Sequence, residues 1–572
     1  MFFSDERKTP MQTVYPINLE REAHASYNYL ENMIVPQNGF TYFNVFLTDP
    51  AEAVHDWPDF IDVPSRTAEA CVLLRHMTGI PVNTEEACFK RIYGFQEEDG
   101  LFYRPQSRIT RHEFVREEQA LVMGALIAKA IADKDDEAHT RLERLIEALN
   151  SQETGAGSFP AMLIRPVARV WEAYQWRRAE SLLEKLTTAV CQTSPVFRPN
   201  GGFAGHVHSH LYAAAGLTEV GRLTGDDKLI SHMDRVFQWI RDRSTRFGFV
   251  PEVSERADDV VGCETCCLMD YIHLAISLAK AGRTNYYDDV ERAVRNHLIE
   301  SRVKNGDWLP SKHNMTDDDL IRRNGVGDAA EGAYAGWSCP NHILAYDEWL
   351  PSGWIKSPEL ASIYLNKVRA LQNCCGPSGP KALYLAWRHA SKVIMENGGN
   401  SLRINLLLDR SLPDAEVRCN EPWEGRVEVC AKDAFLSVAM RCPSWTSEKD
   451  MTATVNGRPM DLQISGGYAM TPSLSTGDCV EFRYPLEVRE ELVRIGNEGR
   501  QSYRYRVGWR GGTVMEMKPG KNPSYGVSHL MPAPVQLYYG NQGPHPLYQR
   551  GNILQNKPSP LPLHSATGPE IW

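Results

Sequence analysis

The stretch that decides the fold is residues 120–132, ALVMGALIAKAIA, which are small and apolar over the length of a helix. A helix that is apolar around most of its circumference must be buried. Residues 211–220, LYAAAGLTEV, have the same character. The helical segments between such stretches are amphipathic, as shown by Leu142, Leu145 and Leu149 at helical spacing. Alternating buried and half-buried helices predict two concentric rings, an (α/α) toroid, although periodicity alone leaves an irregular helical bundle open.

Glycines mark the ends of several of these predicted helices. Gly79, Gly225 and Gly282 each follow the last turn of an apolar or amphipathic stretch. Glycine at this place supplies the left-handed cap that other residues resist. We therefore expect helical hairpins from about residue 20 to about residue 390.

Short strands replace the helices after Gly398. Leu402 and Ile404 alternate with polar residues, which is the period of a half-buried strand. Asn456 and Gly457 form a typical hairpin turn between two further strand-like segments. Regular short strands separated by turns predict a β-sandwich, and thus an α+β multidomain protein. We place the domains at residues 1–395 for the helical barrel, 396–520 for the sandwich and 521–572 for a C-terminal extension that packs on the other two.

Composition excludes several classes of protein. The formal net charge is −10 without long acidic runs, which argues against a nucleic-acid binder because such a protein needs a basic face. No stretch approaches the roughly 18 apolar residues that span a bilayer. The N-terminal MFFSDERKTP lacks an apolar signal core, so we expect a cytoplasmic protein. The 13 cysteines, an odd number, do not suggest a disulfide framework, and we expect most of those outside the motifs below to be buried, inert thiols.

Two cysteine motifs carry the sharpest chemical signal. Residues 262–267 read GCETCC, and residues 373–377 read NCCGP. Thiolates and carboxylates are good zinc ligands, and a tetrahedral zinc ion takes about four. A helix-entry backbone could aim Glu264 and Cys266 at one ion, and a bend near Gly376 would let the adjacent cysteines share it. Spacing alone favours a zinc site and a set of buried structural cysteines equally.

These motifs resemble those of the glycoside hydrolases typified by bacterial β-L-arabinofuranosidase. That family carries Glu-Thr-Cys at a helix start, found here at residues 264–266, and an Asn-Cys-Cys-Pro-type motif, found here at residues 373–377. A Gly-His segment at residues 205–206 and the Arg-Cys-Pro-Ser-Trp segment at residues 441–445 also fit. The resemblance covers roughly residues 150–490. It implies an (α/α)6 barrel followed by a β-sandwich, and a retaining exo-glycoside hydrolase acting on a small glycoside or oligosaccharide.

The resemblance also implies an active site with a zinc cofactor. The first of the paired cysteines, Cys374, would be the nucleophile and form a thioglycosyl intermediate that water hydrolyses with net retention. A glutamate before the first motif would be the general acid/base, for which Glu252 is our first choice and Glu255 our second. His206 would contact sugar hydroxyls. The implied zinc ligands are Glu264, Cys266, Cys374 and Cys375.

Some residues depart from the family pattern. Arg165 lies in a segment where the family has a substrate-contacting histidine, so the sugar can differ from arabinofuranose. Cys267 stands where a small residue is usual, as a spare thiol or an alternative ligand, and Cys339 has no assigned role. Five aromatic residues could stack on sugar rings, although we expect most of them in the core: Trp57, Trp171, Trp176, Tyr334 and Trp337.

Two other functions stay open on this sequence. One is a sugar isomerase, epimerase or lyase built on the same barrel. The other is a non-catalytic protein whose barrel is stapled by zinc and binds carbohydrate, because fold likeness alone does not fix activity. The sugar, its linkage and the oligomeric state, a homodimer included, are equally open.

Overall fold

The structure is a computed structural model that describes residues 16–46, 51–255, 262–304, 315–336, 338, 371–396, 398–496, 502–519 and 571. Trp337, Cys339 and almost all of the predicted extension at 521–572 lie outside the described residues.

Helices dominate the described chain up to Ala390. They are α1 (Leu19–His24), α2 (Tyr27–Asn32), α3 (Asp62–Thr78), α4 (Glu85–Tyr93), α5 (Arg116–Asp133), α6 (Asp136–Ser151), α7 (Ser158–Ala161), α8 (Ile164–Tyr174), α9 (Arg177–Thr188), α10 (Val207–Thr224), α11 (Asp227–Arg241), α12 (Thr265–Lys280), α13 (Tyr287–Arg292), α14 (Val326–Ala330) and α15 (Cys375–Ala390). None of the helices in the described residues is long and apolar enough to cross a membrane.

Six of these helices form a closed ring. Each packs against the next in the order α3, α5, α8, α10, α12 and α15, and α15 packs against α3. Helices α10, α12 and α15 are buried over nearly their whole length. Helix α6 packs on α5, α9 packs on α8, and α11 packs on α10 and α12; each of the three buries a single face. The alternation of buried and amphipathic helices is therefore the one that the sequence predicts.

Glycine ends two ring helices as expected. Gly79 caps α3 with φ of 73°, and Gly225 caps α10 with φ of 71°. Residues with a Cβ disfavour this left-handed conformation. Both glycines lie where the chain leaves the ring for an outer helix.

The strands lie mostly after α15. They are β1 (Ile34–Val35), β2 (Phe40–Thr41), β3 (Asn44–Phe46), β4 (Glu52–Val54), β5 (Tyr103–Arg104), β6 (Glu113–Phe114), β7 (Gly205–His206), β8 (Val253–Ser254), β9 (Ile321–Arg322), β10 (Leu371–Gln372), β11 (Ser391–Glu396), β12 (Gly399–Ile404), β13 (Arg410–Ser411), β14 (Ala415–Cys419), β15 (Arg426–Ala431), β16 (Ser437–Arg441), β17 (Thr452–Val455), β18 (Arg458–Met460), β19 (Gln463–Ser465), β20 (Tyr468–Met470), β21 (Cys479–Arg483), β22 (Val488–Gly496), β23 (Ser502–Arg510) and β24 (Thr513–Pro519).

Two of the C-terminal sheets share one apolar core. Their strand orders are β11-β12-β16-β20-β19 and β13-β14-β15-β21-β17-β18, and Leu402, Val429, Val438 and Phe482 contribute to the common core. A third sheet, β22-β23-β24, packs instead into the core of the helical ring through Trp509. The same sheet also bonds to the segment between β14 and β15, where Gly512 N and Thr513 Oγ1 donate to Glu421 Oε1 at 2.7 and 2.9 Å.

One cysteine pair corrects the sequence analysis. Cys430 on β15 and Cys479 on β21 lie directly opposite each other and form a disulfide, with their Cα atoms 4.1 Å apart. The expectation that the scattered cysteines are buried, inert thiols is wrong for these two, which are half-buried. Strand register brings them together across 49 positions, and the sequence pattern does not specify which strands pair.

Candidate metal centre

The two cysteine motifs lie at the N-termini of neighbouring ring helices. Glu264 is the N-cap of α12, with φ of −90° and ψ of 130°, and Cys266 is the second helical residue. Cys374 is the N-cap of α15, and Cys375 is the first helical residue. Free backbone N–H groups and the positive end of a helix favour thiolates at such places. Helix entry therefore aims all four side chains at one point, as the sequence anticipates for the first motif.

The turn at the paired cysteines differs slightly from the expectation. Strand β10 ends at Gln372, the chain turns at Asn373 and Cys374, and Gly376 already belongs to the first turn of α15. Glycine is required at position 376 for packing, because a Cβ there would lie 2.0 Å from the Tyr29 hydroxyl oxygen. The backbone N–H of Asn373 donates to the carbonyl of Phe43 at 2.8 Å. This bond fixes the start of α15 to the strand segment near the N-terminus.

The four predicted ligands meet at zinc spacing. Their ligand atoms all lie within 4.8 Å of one another. Cys375 Sγ is 3.5 Å from Cys266 Sγ and 3.9 Å from Cys374 Sγ. Glu264 Oε1 is 3.7 Å from Sγ of both Cys374 and Cys375. Tetrahedral bonds of about 2.3 Å to sulfur and about 2.1 Å to oxygen would place sulfurs about 3.8 Å apart, and sulfur and oxygen about 3.6 Å apart. The donor set and its spacing therefore fit zinc.

The cluster favours negative charge on the sulfur of Cys266. A hydrogen bond to Cys266 raises the pKa of Cys374 well above that of an ordinary thiol, and burial does the same for Cys375. Burial opposes ionisation of Cys266, but hydrogen bonds from the thiols of Cys374 and Cys375 and the positive charge of Arg66 outweigh it. The pKa of Cys266 consequently lies well below that of an ordinary thiol. Arg66 Nη1 lies 3.9 Å from Cys266 Sγ. A cationic site next to a buried thiolate is the environment in which cysteines become ligands and nucleophiles.

Comparison with known proteins finds similarity to the same family that the motifs resemble. No family model matches the chain. Over 91 residues the chain is 31% identical to the non-reducing end β-L-arabinofuranosidase of Bifidobacterium longum subsp. longum, a match that spans 15% of this chain and 14% of that protein. The resemblance to the β-L-arabinofuranosidases is confirmed.

Solved structures of this family share the fold. A GH127 β-L-arabinofuranosidase from Geobacillus stearothermophilus T6 superposes with a TM-score of 0.54 and 15% identity, over 86% of this chain and 80% of that one. The GH127 β-arabinofuranosidase BT3674 superposes with a TM-score of 0.56 and 14% identity, over 87% and 81%. The mixed helical and sheet architecture with C-terminal sheets is thus that of the β-L-arabinofuranosidases.

The two acid/base candidates lie in different environments. The carbonyl of Glu252 accepts a hydrogen bond from Val207 N at 2.8 Å and lies 3.9 Å from Cys267 Sγ. Burial opposes protonation of His206, but the carboxylates of Glu264 and then Glu252 raise its pKa. Glu255 instead forms a surface ion pair with Arg198 at 2.6 Å.

His206, the predicted sugar contact, reaches one of the four predicted zinc ligands. Its Nε2 donates to Glu264 Oε2 at 2.8 Å, and the side chain stays 21% exposed. Phe159 lies next to it, with ring centroids 5.8 Å apart and nearly parallel planes. Phe159 is 38% exposed, which is unusual for a large apolar side chain. Phe159 was not predicted from the sequence, because an isolated aromatic residue in a loop-like segment has no periodic pattern.

The other aromatic candidates divide between site and core. Trp57 lies near Phe43, with ring centroids 6.2 Å apart, and Phe43 packs against Cys266 and Cys374. Tyr334 is fully buried against Gly379, as expected for a core residue. Trp171 and Trp176 are partly buried on the hydrophobic core.

A buried polar chain runs from the cysteines into the ring. Arg66 Nη2 donates to His208 Nε2 at 3.1 Å, and His208 Nδ1 donates to Asp270. Arg165 donates to the other carboxylate oxygen of Asp270 at 3.1 Å and lies over the Tyr212 ring at 3.3 Å. Arg165, where the family has a substrate-contacting histidine, is therefore part of this interior network. The sequence analysis missed Arg66, because nothing local in α3 marks it as a partner of α12.

Proposed function

We propose that this chain is a retaining exo-glycoside hydrolase of the β-L-arabinofuranosidase type that uses a zinc-bound thiolate of Cys374 as nucleophile. The observation that carries the proposal is the convergence of three thiols and one carboxylate, at separations that fit tetrahedral zinc, on two helix N-termini. Likeness to the β-L-arabinofuranosidases supports the same activity.

The proposal includes the architecture predicted from the sequence. The closed ring of six helices supports an (α/α)6 barrel over residues 1–395. The two sheets with a common core support a β-sandwich within residues 396–520. Residues 521–572 would then form the extension that packs on both.

Glu264, Cys266, Cys374 and Cys375 would hold the zinc ion. When bound, zinc supplies the positive charge that keeps these thiols deprotonated and stabilises sulfur as a leaving group. Cys374 is the most exposed of the four, at 8% against 3% for Glu264 and 0% for the other two cysteines. Exposure therefore supports Cys374, rather than Cys266 or Cys375, as the thiolate that a substrate can reach.

The reaction then proceeds in two displacements. In the first, Cys374 Sγ forms a bond to the anomeric carbon while the glycosidic carbon–oxygen bond breaks, and the Glu252 carboxyl group donates a proton to the departing oxygen. In the second, the Glu252 carboxylate takes a proton from water, the water oxygen bonds to the anomeric carbon, and the carbon–sulfur electron pair returns to Cys374. Two inversions give net retention.

The substrate would enter beside His206 and Phe159. We propose that Phe159 stacks on the apolar face of a sugar ring and that His206 contacts a hydroxyl group, because the two exposed side chains lie side by side and His206 contacts Glu264. We also propose a cytoplasmic location and a small carbohydrate substrate.

One observation favours a second candidate function, in which the zinc site is structural and the protein has no catalytic activity. The four donors are nearly closed off from solvent, and structural zinc sites are closed whereas catalytic sites keep an open position. Hydrolytic activity separates the two candidates.

The decisive experiment is a screen of aryl glycosides, furanosides included, with zinc content measured on the same protein. We expect about one zinc per chain, hydrolysis of at least one furanoside, and loss of hydrolysis on chelation. Cys374→Ala should abolish turnover with little change in circular dichroism. Cys71→Ala, at a buried free cysteine outside the donor set, should keep it. Full turnover by Cys374→Ala would overturn the proposal.

The acid/base assignment has its own comparison. Glu252→Gln should lower kcat by about 10²- to 10⁴-fold, as expected when general acid/base catalysis is lost. Glu255→Gln should leave kcat unchanged because, among the residues that the structure describes, the Glu255 carboxylate pairs with the surface arginines Arg198 and Arg243. If Glu255→Gln lost kcat and Glu252→Gln kept it, Glu255 would be the general acid/base instead.

A further inference from the structure

Glu264 uses its two carboxylate oxygens on opposite sides. Oε1 faces the thiols of Cys374 and Cys375 at 3.7 Å. Oε2 faces away from them, 2.8 Å from His206 Nε2 and 3.3 Å from Cys267 Sγ. The zinc ligand therefore has a second pair of partners that the four-residue site does not include.

These partners could in principle bind a second cation, because the ligand atoms of His206, Glu264 and Cys267 lie within 4.8 Å of one another. Tetrahedral zinc would separate nitrogen from oxygen by about 3.4 Å and sulfur from oxygen by about 3.6 Å. The measured separations of 2.8 and 3.3 Å are shorter, and they have the length of hydrogen bonds to a carboxylate. The two clusters that share Glu264 thus differ: one has the spacing of metal ligands, the other that of donors to an acceptor.

Both donors are held firmly in place. Cys267 is fully buried in the first turn of α12, three residues after Glu264, so the two side chains lie on the same face of the helix. His206 ends β7, whose pairing with Val253 fixes its backbone. Water cannot substitute for a thiol that is shielded from solvent, so loss of the Cys267 donor leaves Oε2 with one partner fewer.

We propose that Cys267, together with His206, is a positioning residue for the zinc site: its S–H group donates to Glu264 Oε2 and thereby keeps Oε1 directed at the three cysteines. This inference rests on the proposed zinc site. Partners of this kind orient metal ligands, and their removal weakens metal binding by about 10- to 100-fold. The thiol that departs from the family pattern would then have a defined role.

The test compares zinc release from the holoprotein into a chromogenic chelator for a matched pair of variants. Cys267→Ala removes the donor, and Cys267→Ser keeps a hydroxyl donor at nearly the same position. Cys71→Ala is the control, because it truncates another fully buried cysteine away from the metal. We expect Cys267→Ala to release zinc about 10- to 100-fold faster than wild type. Cys267→Ser should release it more slowly than Cys267→Ala, and Cys71→Ala should match wild type even if its melting temperature falls.

Two results would overturn the inference. Equal release rates for Cys267→Ala and Cys71→Ala would show that the thiol does not support Glu264. Two zinc ions per wild-type chain that fall to one in Cys267→Ala would make Cys267 a ligand instead of a donor. Wild-type protein that binds no zinc would contradict the proposed function itself, which separates the two failures. If Cys267→Ala does not fold, Cys267→Val serves as the variant without a donor.

Discussion

Replacing Gly376 by alanine tests how strictly the metal site depends on the position of α15. A Cβ at Gly376 would lie 2.0 Å from the Tyr29 hydroxyl oxygen and 2.3 Å from Cζ, whereas ordinary contacts begin at 3.4 Å. The helix and the ring must therefore separate by about 1.4 Å. Tyr29 is buried in the core, so part of this displacement falls on the first turn of α15.

The displacement is large relative to what zinc tolerates. Overpacking of this kind costs about 1–3 kcal/mol of unfolding free energy, which the fold can absorb. Metal-ligand distances, in contrast, must stay within about 0.2 Å of their ideal values. Cys375 directly precedes Gly376, so a shift of a third of the required movement already disturbs the site. We expect Gly376→Ala to fold, to melt a few degrees lower, and to lose zinc and hydrolysis together.

The assay is zinc content per chain, zinc release into a chelator, and turnover of the best aryl glycoside. Gly508→Ala is the control, because the nearest atom to its added Cβ is 3.8 Å away and zinc release should not change. Adding Tyr29→Ala to Gly376→Ala removes the clashing ring and should restore part of the zinc affinity. Wild-type zinc release by Gly376→Ala alone would refute the reasoning.

Two further predictions concern the substrate and pH. Phe159→Leu should raise KM about 2- to 10-fold at unchanged kcat, because an aromatic contact contributes about 0.5–1.5 kcal/mol. The control Leu436→Ala, at another exposed apolar residue, should change neither KM nor kcat. A fall in kcat for Phe159→Leu would contradict a role in binding alone. Burial lowers the pKa of His297 to about 3, so this residue stays neutral in the folded protein while the unfolded chain protonates it below about pH 6.5. Its contribution therefore lowers the unfolding free energy as pH falls from about 6.5 towards 3, by about 1.4 kcal/mol per pH unit. Denaturant titrations at several pH values give the unfolding free energy at each pH, and for His297→Gln this free energy should change with pH less steeply than for wild type by the same amount. An identical pH dependence in the two proteins would count against the prediction.

Local pattern was enough for much of the fold. Whether a helix is buried or half-buried depends on the spacing of its own apolar residues, so α6 and α10 could be assigned from sequence. The turn at Asn456 and Gly457 was predictable for the same reason, and it joins β17 to β18. Periodicity predicted a toroid but could not exclude an irregular bundle, since it shows which face of a helix is apolar but not which helix covers it.

The candidate site divides in a similar way. The metal-binding chemistry of Glu264, Cys266 and the cysteine pair was predictable from the sequence, because few residue types bind zinc and helix entry orients them locally. The residues that contact these four donors were not predictable from the sequence. Arg66 lies 200 positions from Cys266, and His206 lies 58 positions from Glu264. Such pairs form only when ring helices pack.

By itself, the sequence determined the residue types that can bind a cation and the helix starts that present them. Only the tertiary structure decided that three thiols and one carboxylate share a single point, that Glu264 keeps a second oxygen for His206 and Cys267, and that Cys430 pairs with Cys479. The physical reason is the sequence distance over which each interaction acts. Helix capping and hydrophobic period act within a few residues, whereas the distances that make a site catalytic or structural are set by packing between segments that are far apart in the chain.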